Sequence, residues 1–353
     1  MQDIPEEIEL RQLMNNQVKN NALELPSVSI IVASLNNEST IEECLNSILN
    51  QDYPKHLLHV FVVDGGSTDS TTKRAEPYPV NFVSNRLNVP ASYNWASKTV
   101  KSELIGFIDA DAKVERDWLK KLVLHLNDKE VAATGGNIAA WNKDRLVPRC
   151  IGYELSHRYS RLPKEVGRLA TMNLLLKANV LEEVGGFDET LSTQYDTDLG
   201  FHIVNAGYKI VFDSNALCYH YHRPTLRKFF KQQYRYWQNT WKLYLKHPQL
   251  MKGDPLTDFG MNIQPLLYSL AAVSLVFGFI PPFTTIGHAF FFSLATVITA
   301  YYLFSAARIS LKYSDASAMF LYVIYFVRTI AWTLGALGSV LRSLLAKVGF
   351  RKH

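Results

Sequence analysis

Beyond residue 260 the chain is written for a different solvent. Three stretches, Met261–Ile280, Thr285–Phe304 and Ser317–Val340, are each about 20 residues or longer and nearly uncharged. That length suffices for a helix to cross ~30 Å of hydrocarbon. Pro281-Pro282 makes a sharp hairpin between the first two. Arg308 and Lys312 lie between the second and third, so the positive-inside rule expects a multi-pass cell-membrane protein with its preceding domain on the cytoplasmic side. After an odd number of crossings the same rule conflicts with Arg342, Lys347, Arg351 and Lys352. Either the basic tail (341–353) turns back as an interfacial helix, or the third segment does not fully cross. Arg328, inside that segment, should face protein or lipid phosphate rather than acyl chains.

Charge follows the same division. The whole chain carries +5, but from Ile263 onward seven Lys/Arg stand against Asp315 alone, a balance of +6 that leaves −1 for residues 1–262. A nucleic-acid-binding protein would carry its excess on the folded domain; here it sits in the apolar part, which favours a membrane over nucleic acid. Between Arg223 and Lys252 there are eight basic residues and no acidic one, with the rings of Tyr-Arg-Tyr-Trp-Gln-Asn-Thr-Trp-Lys-Leu-Tyr among them. Such a mixture collects at a membrane interface, so 226–260 reads as interfacial helices. Residues 1–25 have apolar residues at roughly helical spacing on a charged background, an expected amphipathic helix. Their polar, acidic start gives no signal peptide. Cys44, Cys150 and Cys218 are widely spaced with no C-x-x-C pair, which suggests neither a disulfide framework nor a zinc site.

Residues 26–225 alternate apolar strands and helices. Strands are expected at Ser27–Ala33, Leu57–Val63, Val80–Val83, Leu104–Ile108, Val131–Thr134 and Lys209–Phe212, with helices from Thr40, from about Pro90 and over 115–127. This is the pattern of an α/β, doubly wound, mostly parallel sheet. No G-x-G-x-x-G opens the first helix and no G-x-x-x-x-G-K-[ST] occurs, so dinucleotide and P-loop folds lack support.

The chemistry gathers where strands end, since ligands of open α/β sheets collect at the carboxyl ends of strands. Leu104–Ile108 runs straight into Asp109-Ala110-Asp111. Two carboxylates there form a hard-oxygen site for Mg²⁺ or Mn²⁺; the plain alternative is a solvated Asp-rich turn. The second strand ends at Asp64-Gly65-Gly66-Ser67-Thr68-Asp69, where glycines allow a ligand close approach and Asp64 can accept hydrogen bonds from a base or ribose. His220 and His222 alternate, so a strand would put both on one face; such a pair is commonly structural, but gains interest beside two aspartates.

Together these motifs resemble the family-2 inverting glycosyltransferases, with their nucleotide-sugar-binding GT-A-like fold, over about residues 27–240. Ser27–Pro54 looks like the family's nucleotide-binding start, with Ser34 and Asn37 as donor-binding candidates. Val63–Asp69 looks like its D-G-S-x-D element, implying that Asp64 meets the base. Asp109-Ala110-Asp111 matches its D-x-D, implying Asp111 on the metal and Asp109 on ribose or metal, with His220 as a further metal ligand. Gly185-Gly186-Phe187-Asp188 and Tyr195-Asp196-Thr197-Asp198-Leu199 match G-G-F-D and E-D-x-D-L, which makes Asp196 the implied catalytic base. Gln232-Gln233-Tyr234-Arg235-Tyr236-Trp237 looks like Q-x-x-R-W, implying Arg235 on the diphosphate and Gln232 and Trp237 near the acceptor; Asn173, in Thr171-Met172-Asn173, is a further acceptor-binding candidate. The chain departs from the family at Ala33, Leu35, Tyr93, Tyr195 and Tyr236.

The resemblance implies transfer from a nucleotide diphosphate sugar, a UDP-sugar favoured, with Mn²⁺ or Mg²⁺ neutralising the leaving diphosphate and one carboxylate deprotonating the acceptor. The apolar region points to a lipid or lipid-linked glycan acceptor. Two other readings stand: a processive polysaccharide synthase, for which three spans are few unless homo-oligomers assemble a channel, and a non-catalytic scaffold suggested by Tyr93 and Tyr195.

Overall fold

A computed structural model describes residues 25–347. The amphipathic helix expected over residues 1–25 and the end of the basic tail (348–353) lie outside the described residues, Leu25 apart.

The alternation seen in the sequence builds the first half as expected. Strands β1 (Val28–Ser34), β2 (Leu58–Asp64), β3 (Asn81–Ser84) and β4 (Leu104–Asp109) lie parallel in the order β3-β2-β1-β4. Helices α1 (Ile41–Leu49), α2 (Thr71–Ala75) and α3 (Val89–Thr99) connect them. β1 is central, and its successive side chains feed opposite faces of the sheet. Ile30 and Val32 pack with Leu45 of α1, while Ile31 packs with Tyr93 and Ala96 of α3. The register sets Ser34 beside Asp64 and Ala33 beside Asp109. Three strand ends therefore open onto one edge.

Past β4 the sheet becomes mixed. Its elements are β5 (Ala112–Val114), α4 (Trp118–His125), β6 (Val131–Ala140), α5 (Leu146–Tyr159), β7 (Glu165–Val166), β8 (Leu174–Lys177), α6 (Ala178–Glu183), α7 (Tyr195–Asn205) and β9 (Lys209–His220). β8 runs antiparallel between β4 and β6, β9 is parallel to β6, and β5 and β7 are antiparallel to β9. The sequence expectation ends β6 at Thr134 and β9 at Phe212, before Gly135-Gly136-Asn137 and Asp213-Ser214-Asn215. A register shift between Gly136 and Asn137 absorbs both, so the strands continue to Ala140 and His220. That extension carries His220 to the site.

The C-terminal region holds α8 (Leu226–Lys246), α9 (Phe259–Phe277), α10 (Thr284–Tyr313) and α11 (Leu321–Lys347). Among the described residues, three helices are apolar and long enough to cross a membrane: Phe259–Phe277, Thr284–Tyr313 and Ala316–Arg342. The second is longer than the sequence suggests at 30 residues. Arg308 and Lys312, expected in a connection, are part of this helix, and Lys312 Nζ donates to Ser160 Oγ at 2.7 Å. The third differs from its neighbours: half of its apolar window is buried in protein, against 17% of each of the others. It lies along α8, where the Trp237 and Trp332 rings are 5.6 Å apart and Trp332 Nε1 donates to Gln233 Oε1 at 2.9 Å. Gly335 permits the approach, since a Cβ there would stand 2.6 Å from the Tyr234 carbonyl oxygen.

Candidate active site

At the edge where β1, β2 and β4 end, the first two loops are laced together. Asp64 is buried, and its Oδ2 accepts from the backbone N–H of Gly66 (3.0 Å) and Ser67 (2.9 Å). Asn36, in a left-handed conformation, accepts from Thr68 N–H at 2.9 Å, and Asn37 Oδ1 accepts from Leu35 N–H at 2.9 Å. Asp64 and Asn37 thus shape the loops after β1 and β2 through backbone contacts, while Ser34 Oγ is buried without a partner.

Asp109 is the last residue of β4, and the chain turns at once into β5, which pairs Ala112 with His220 on β9. That pairing sets Asp111 against His220, with Oδ1 to Nε2 at 3.2 Å. Arg223 Nη2 lies 3.7 Å from Asp111 Oδ2. Donor atoms of Asp109, Asp111 and His220 all fall within 4.8 Å of one another. Two carboxylates and an imidazole at that spacing form a donor set suited to a divalent cation. Burial, then the neighbouring Asp111 charge, pushes the Asp109 carboxyl up to about 6. Burial pushes Asp111 the same way, but His220 and Arg223 outweigh it and hold Asp111 below the usual carboxylate range. His220 is raised in turn, because Asp111 overcomes the burial that would lower it.

The two histidines resolve into distinct roles. Their Nδ1 atoms are 3.0 Å apart, so one must donate. Burial and the His220 charge push His222 well below its ordinary value, so it is the neutral partner. His222 Nε2 is buried without a partner.

Asp196 stands in the first turn of α7, after Gln194 in a left-handed conformation (φ 68°). Its Oδ1 accepts from Thr197 N–H at 2.8 Å. Burial raises its pKa, with Arg168 opposing. Arg168 itself is paired with Asp254 and donates to Thr197 Oγ1 at 3.1 Å, so it fixes the turn that carries Asp196. The Gly185-Gly186-Phe187-Asp188 loop is clamped to α3, where Asn94 Oδ1 accepts from Phe187 N–H and Asn94 Nδ2 donates to its carbonyl, both at 2.8 Å. Gly186 (φ +74°) is required, because a Cβ would meet Asn94 Oδ1 at 2.6 Å.

Asp109, Asp196 and His220 line one cavity of about 360 Å³, as do Gln232 and Trp237. Ser34, Asn37, Asp64 and Asp111 are not among its lining residues, nor are two further sequence candidates. Arg235 is on the exposed face of α8 and does not line the cavity; Arg223 is the cation at the carboxylates. Asn173 is buried with its amide committed inside the fold: Oδ1 accepts from Trp118 Nε1 at 2.6 Å, and Nδ2 donates to the Asn137 and Ala216 carbonyls at 3.0 and 3.4 Å.

Tyr93 and Tyr195, which depart from the family pattern, have structural work. The Tyr93 hydroxyl donates to Asp109 Oδ1 at 3.0 Å, and its ring packs against Phe107, Phe187 and Tyr195 with centroids 4.6, 5.4 and 6.3 Å away. Sequence reading missed Arg168 and Arg223 as site residues. Arg223 directly follows the histidine pair, a usable signal; Arg168 carries none.

Comparison with known proteins agrees with this geometry. The profile of "Glycosyl transferase family 2" matches residues 29–177, and that of "Glycosyl transferase family group 2" matches residues 104–340, more than half of the chain. Glycosyltransferase AglE of Haloferax volcanii is 27% identical over 221 residues, covering 60% of this chain and 72% of that protein. A dolichyl N-acetyl-alpha-D-glucosaminyl phosphate 3-beta-D-2,3-diacetamido-2,3-dideoxy-beta-D-glucuronosyltransferase of Methanococcus voltae is 24% identical over 233 residues, covering 59% of this chain and 71% of that protein. The solved structure of mannosyltransferase PcManGT from Pyrobaculum calidifontis, in complex with GDP-Man and Mn²⁺, aligns at a TM-score of 0.57 with 21% identity, covering 95% of this chain and 94% of that one. The fold is thus the GT-A-like α/β fold, and the chain belongs to glycosyl transferase family 2.

Proposed function

We propose that this enzyme moves one sugar, with inversion, from a nucleotide diphosphate donor to a lipid or lipid-linked acceptor at the cytoplasmic face of the membrane. The observation that carries the reading is the lining of the cavity, which includes Asp109, Asp196 and His220 from the α/β domain together with Arg328 and Trp332 from an apolar helix. The acceptor named for the Methanococcus voltae relative and the GDP-Man and Mn²⁺ of the Pyrobaculum calidifontis structure support it.

Asp111, Asp109 and His220 are the residues that would hold a divalent cation, which supplies Lewis-acid neutralisation of the leaving diphosphate. Arg223 adds a fixed positive charge beside the same carboxylates. Asp196 accepts the proton of the acceptor hydroxyl. Its raised pKa makes it a stronger base than an exposed aspartate, and a single base on the face opposite the leaving group gives inversion.

The test is a thermal-shift screen of the full chain in detergent with UDP, GDP, CMP and dTDP, each with and without Mn²⁺. One nucleotide is expected to stabilise the protein strongly, and only with metal. Silence from all four in both conditions would remove the donor site. Transfer to a lipid acceptor should then yield a product one sugar longer, with NMR reporting an inverted anomeric centre; a polymer would overturn single addition.

A further inference from the structure

The cavity has a charged wall that sugar transfer at Asp196 does not use. Glu154 on α5 is flanked by two guanidinium groups: its Oε1 accepts from Arg328 Nη1 at 2.8 Å and its Oε2 from Arg158 Nη2 at 2.9 Å. All three residues line the cavity. One carboxylate balances only one of the two cations, so the cluster keeps a residual charge of about +1 in a buried setting. Burial would raise the Glu154 carboxyl, but Arg158 and Arg328 outweigh it and keep it ionised. The nearby Asp254 is already held by Arg168, and so does not supply the missing charge.

Donors are left over as well. Arg158 Nη1 reaches the Leu256 carbonyl at 2.9 Å, yet the Nε of both Arg158 and Arg328 is buried without a partner. Arg328 is 6% exposed and its guanidinium lies over the Tyr325 and Trp332 rings, 4.9 and 4.8 Å from their centroids. A guanidinium fixed on two rings in the cavity wall is positioned to meet an oxyanion bound there. A metal ion would be repelled by the residual charge, and a neutral hydroxyl would satisfy the N–H without balancing the charge.

The setting identifies the source of the anion. Arg328 belongs to the third apolar helix, and the cavity wall beside it is apolar: Ile324 and Trp332 stand one turn either side of it on the same helix, and Ile151, Leu155 and Phe229 line the same cavity. A ligand whose charged head meets Arg328 therefore has apolar surface beside it. We infer that Arg158 and Arg328 seat the phosphate or diphosphate ester of a lipid acceptor, placing the acceptor in the cavity shared with Asp196. The inference rests on the transferase reading above and adds the acceptor's class and its anchoring residues.

The test is binding of farnesyl phosphate to the full chain in detergent, beside farnesol and inorganic phosphate as separate arms. Farnesyl phosphate is expected to stabilise the protein saturably, with the other two at least about tenfold weaker. Arg158→Gln and Arg328→Gln should each weaken its binding by about tenfold or more, the loss expected for a hydrogen bond between charged groups. Glu154→Gln decides between binding and mere structure: it raises the residual charge and frees one donor, so farnesyl phosphate should bind at least as tightly. Should Arg328→Gln fail to fold, the Arg158 and Glu154 variants carry the test. Unchanged affinity in the arginine variants, or lost affinity in a folded Glu154→Gln, overturns the seat. Inorganic phosphate binding as tightly as the lipid overturns the lipid source. Metal-dependent nucleotide stabilisation is measured on the same preparations: if it persists while farnesyl phosphate does not bind, the anion seat alone fails, and if both are absent the transferase reading fails too.

Discussion

Asn173 separates two accounts of this site, one from sequence and one from structure. As an acceptor contact, its replacement would raise the acceptor KM and leave stability alone. As the structure has it, Asn173→Ala removes the acceptor of the fully buried Trp118 indole N–H at 2.6 Å and the donor to two carbonyls at 3.0 and 3.4 Å. An orphaned buried donor costs ~1–3 kcal/mol and each lost hydrogen bond ~0.5–1.5 kcal/mol. Taken together the substitution should cost about 2–5 kcal/mol, the weaker 3.4 Å contact placing the sum toward the lower half. For a domain of this size ~1 kcal/mol moves Tm by ~2–4 °C, so the loss should be about 5–15 °C. The assay is thermal unfolding of the full chain in detergent followed by tryptophan fluorescence, with acceptor kinetics on the same preparation below the transition. Asn173→Asp keeps the acceptor oxygen for Trp118 but turns a buried carboxylate oxygen onto the Asn137 and Ala216 carbonyls, and should lose at least as much stability. A variant that melts with the wild type but shows a raised acceptor KM would refute the bracket and restore the contact.

Asp196→Asn should cut transfer by ~10²–10⁴, the usual worth of a general base, while leaving nucleotide binding intact. Because the folded-state pKa of Asp196 is raised, the native protein holds that proton more tightly than the unfolded chain. Its contribution to stability is therefore lost as pH rises through the raised value, and Asp196→Asn should melt no lower than wild type at pH 7.5; a large drop in Tm would contradict this. Metal binding must displace the proton that His220 shares with Asp111. Below the raised His220 pKa, Mn²⁺ affinity measured by calorimetry should thus fall ~tenfold per pH unit, and a flat profile would exclude His220 as a ligand. Gly335→Leu should force α8 and α11 apart, since even a Cβ meets the Tyr234 carbonyl oxygen at 2.6 Å. A cost of ~1–3 kcal/mol is expected for such overpacking, readable as faster proteolysis between the helices; wild-type resistance would rule out the close contact.

The local sequence determined the elements whose causes are local. The β-branched run of β1, the apolar run of β4 ending in two aspartates, and the three long uncharged stretches each carry their signal in consecutive residues. From these follow the parallel half of the sheet, the edge where β1, β2 and β4 end, and the helices apolar and long enough to cross a membrane. What depends on partners distant in the chain was decided only by the tertiary structure. The antiparallel β8, the bulge that lengthens β6 and β9, and the pairing of Ala112 with His220 are choices among alternative strand neighbours, which no window of sequence encodes. The same holds for individual charges. Arg235 and Arg223 look alike in sequence, yet helix phase turns the first toward the exposed face and the end of β9 brings the second to Asp111. Asn173 reads as an acceptor contact in the sequence, and only the structure shows Trp118, 55 residues earlier, donating to its amide. Arg328 shows the division within one residue. Its cost in an apolar helix required a partner and could be read from the sequence, but that the partner is Glu154, shared with Arg158 on a cavity wall, exists only where α5 and α11 meet.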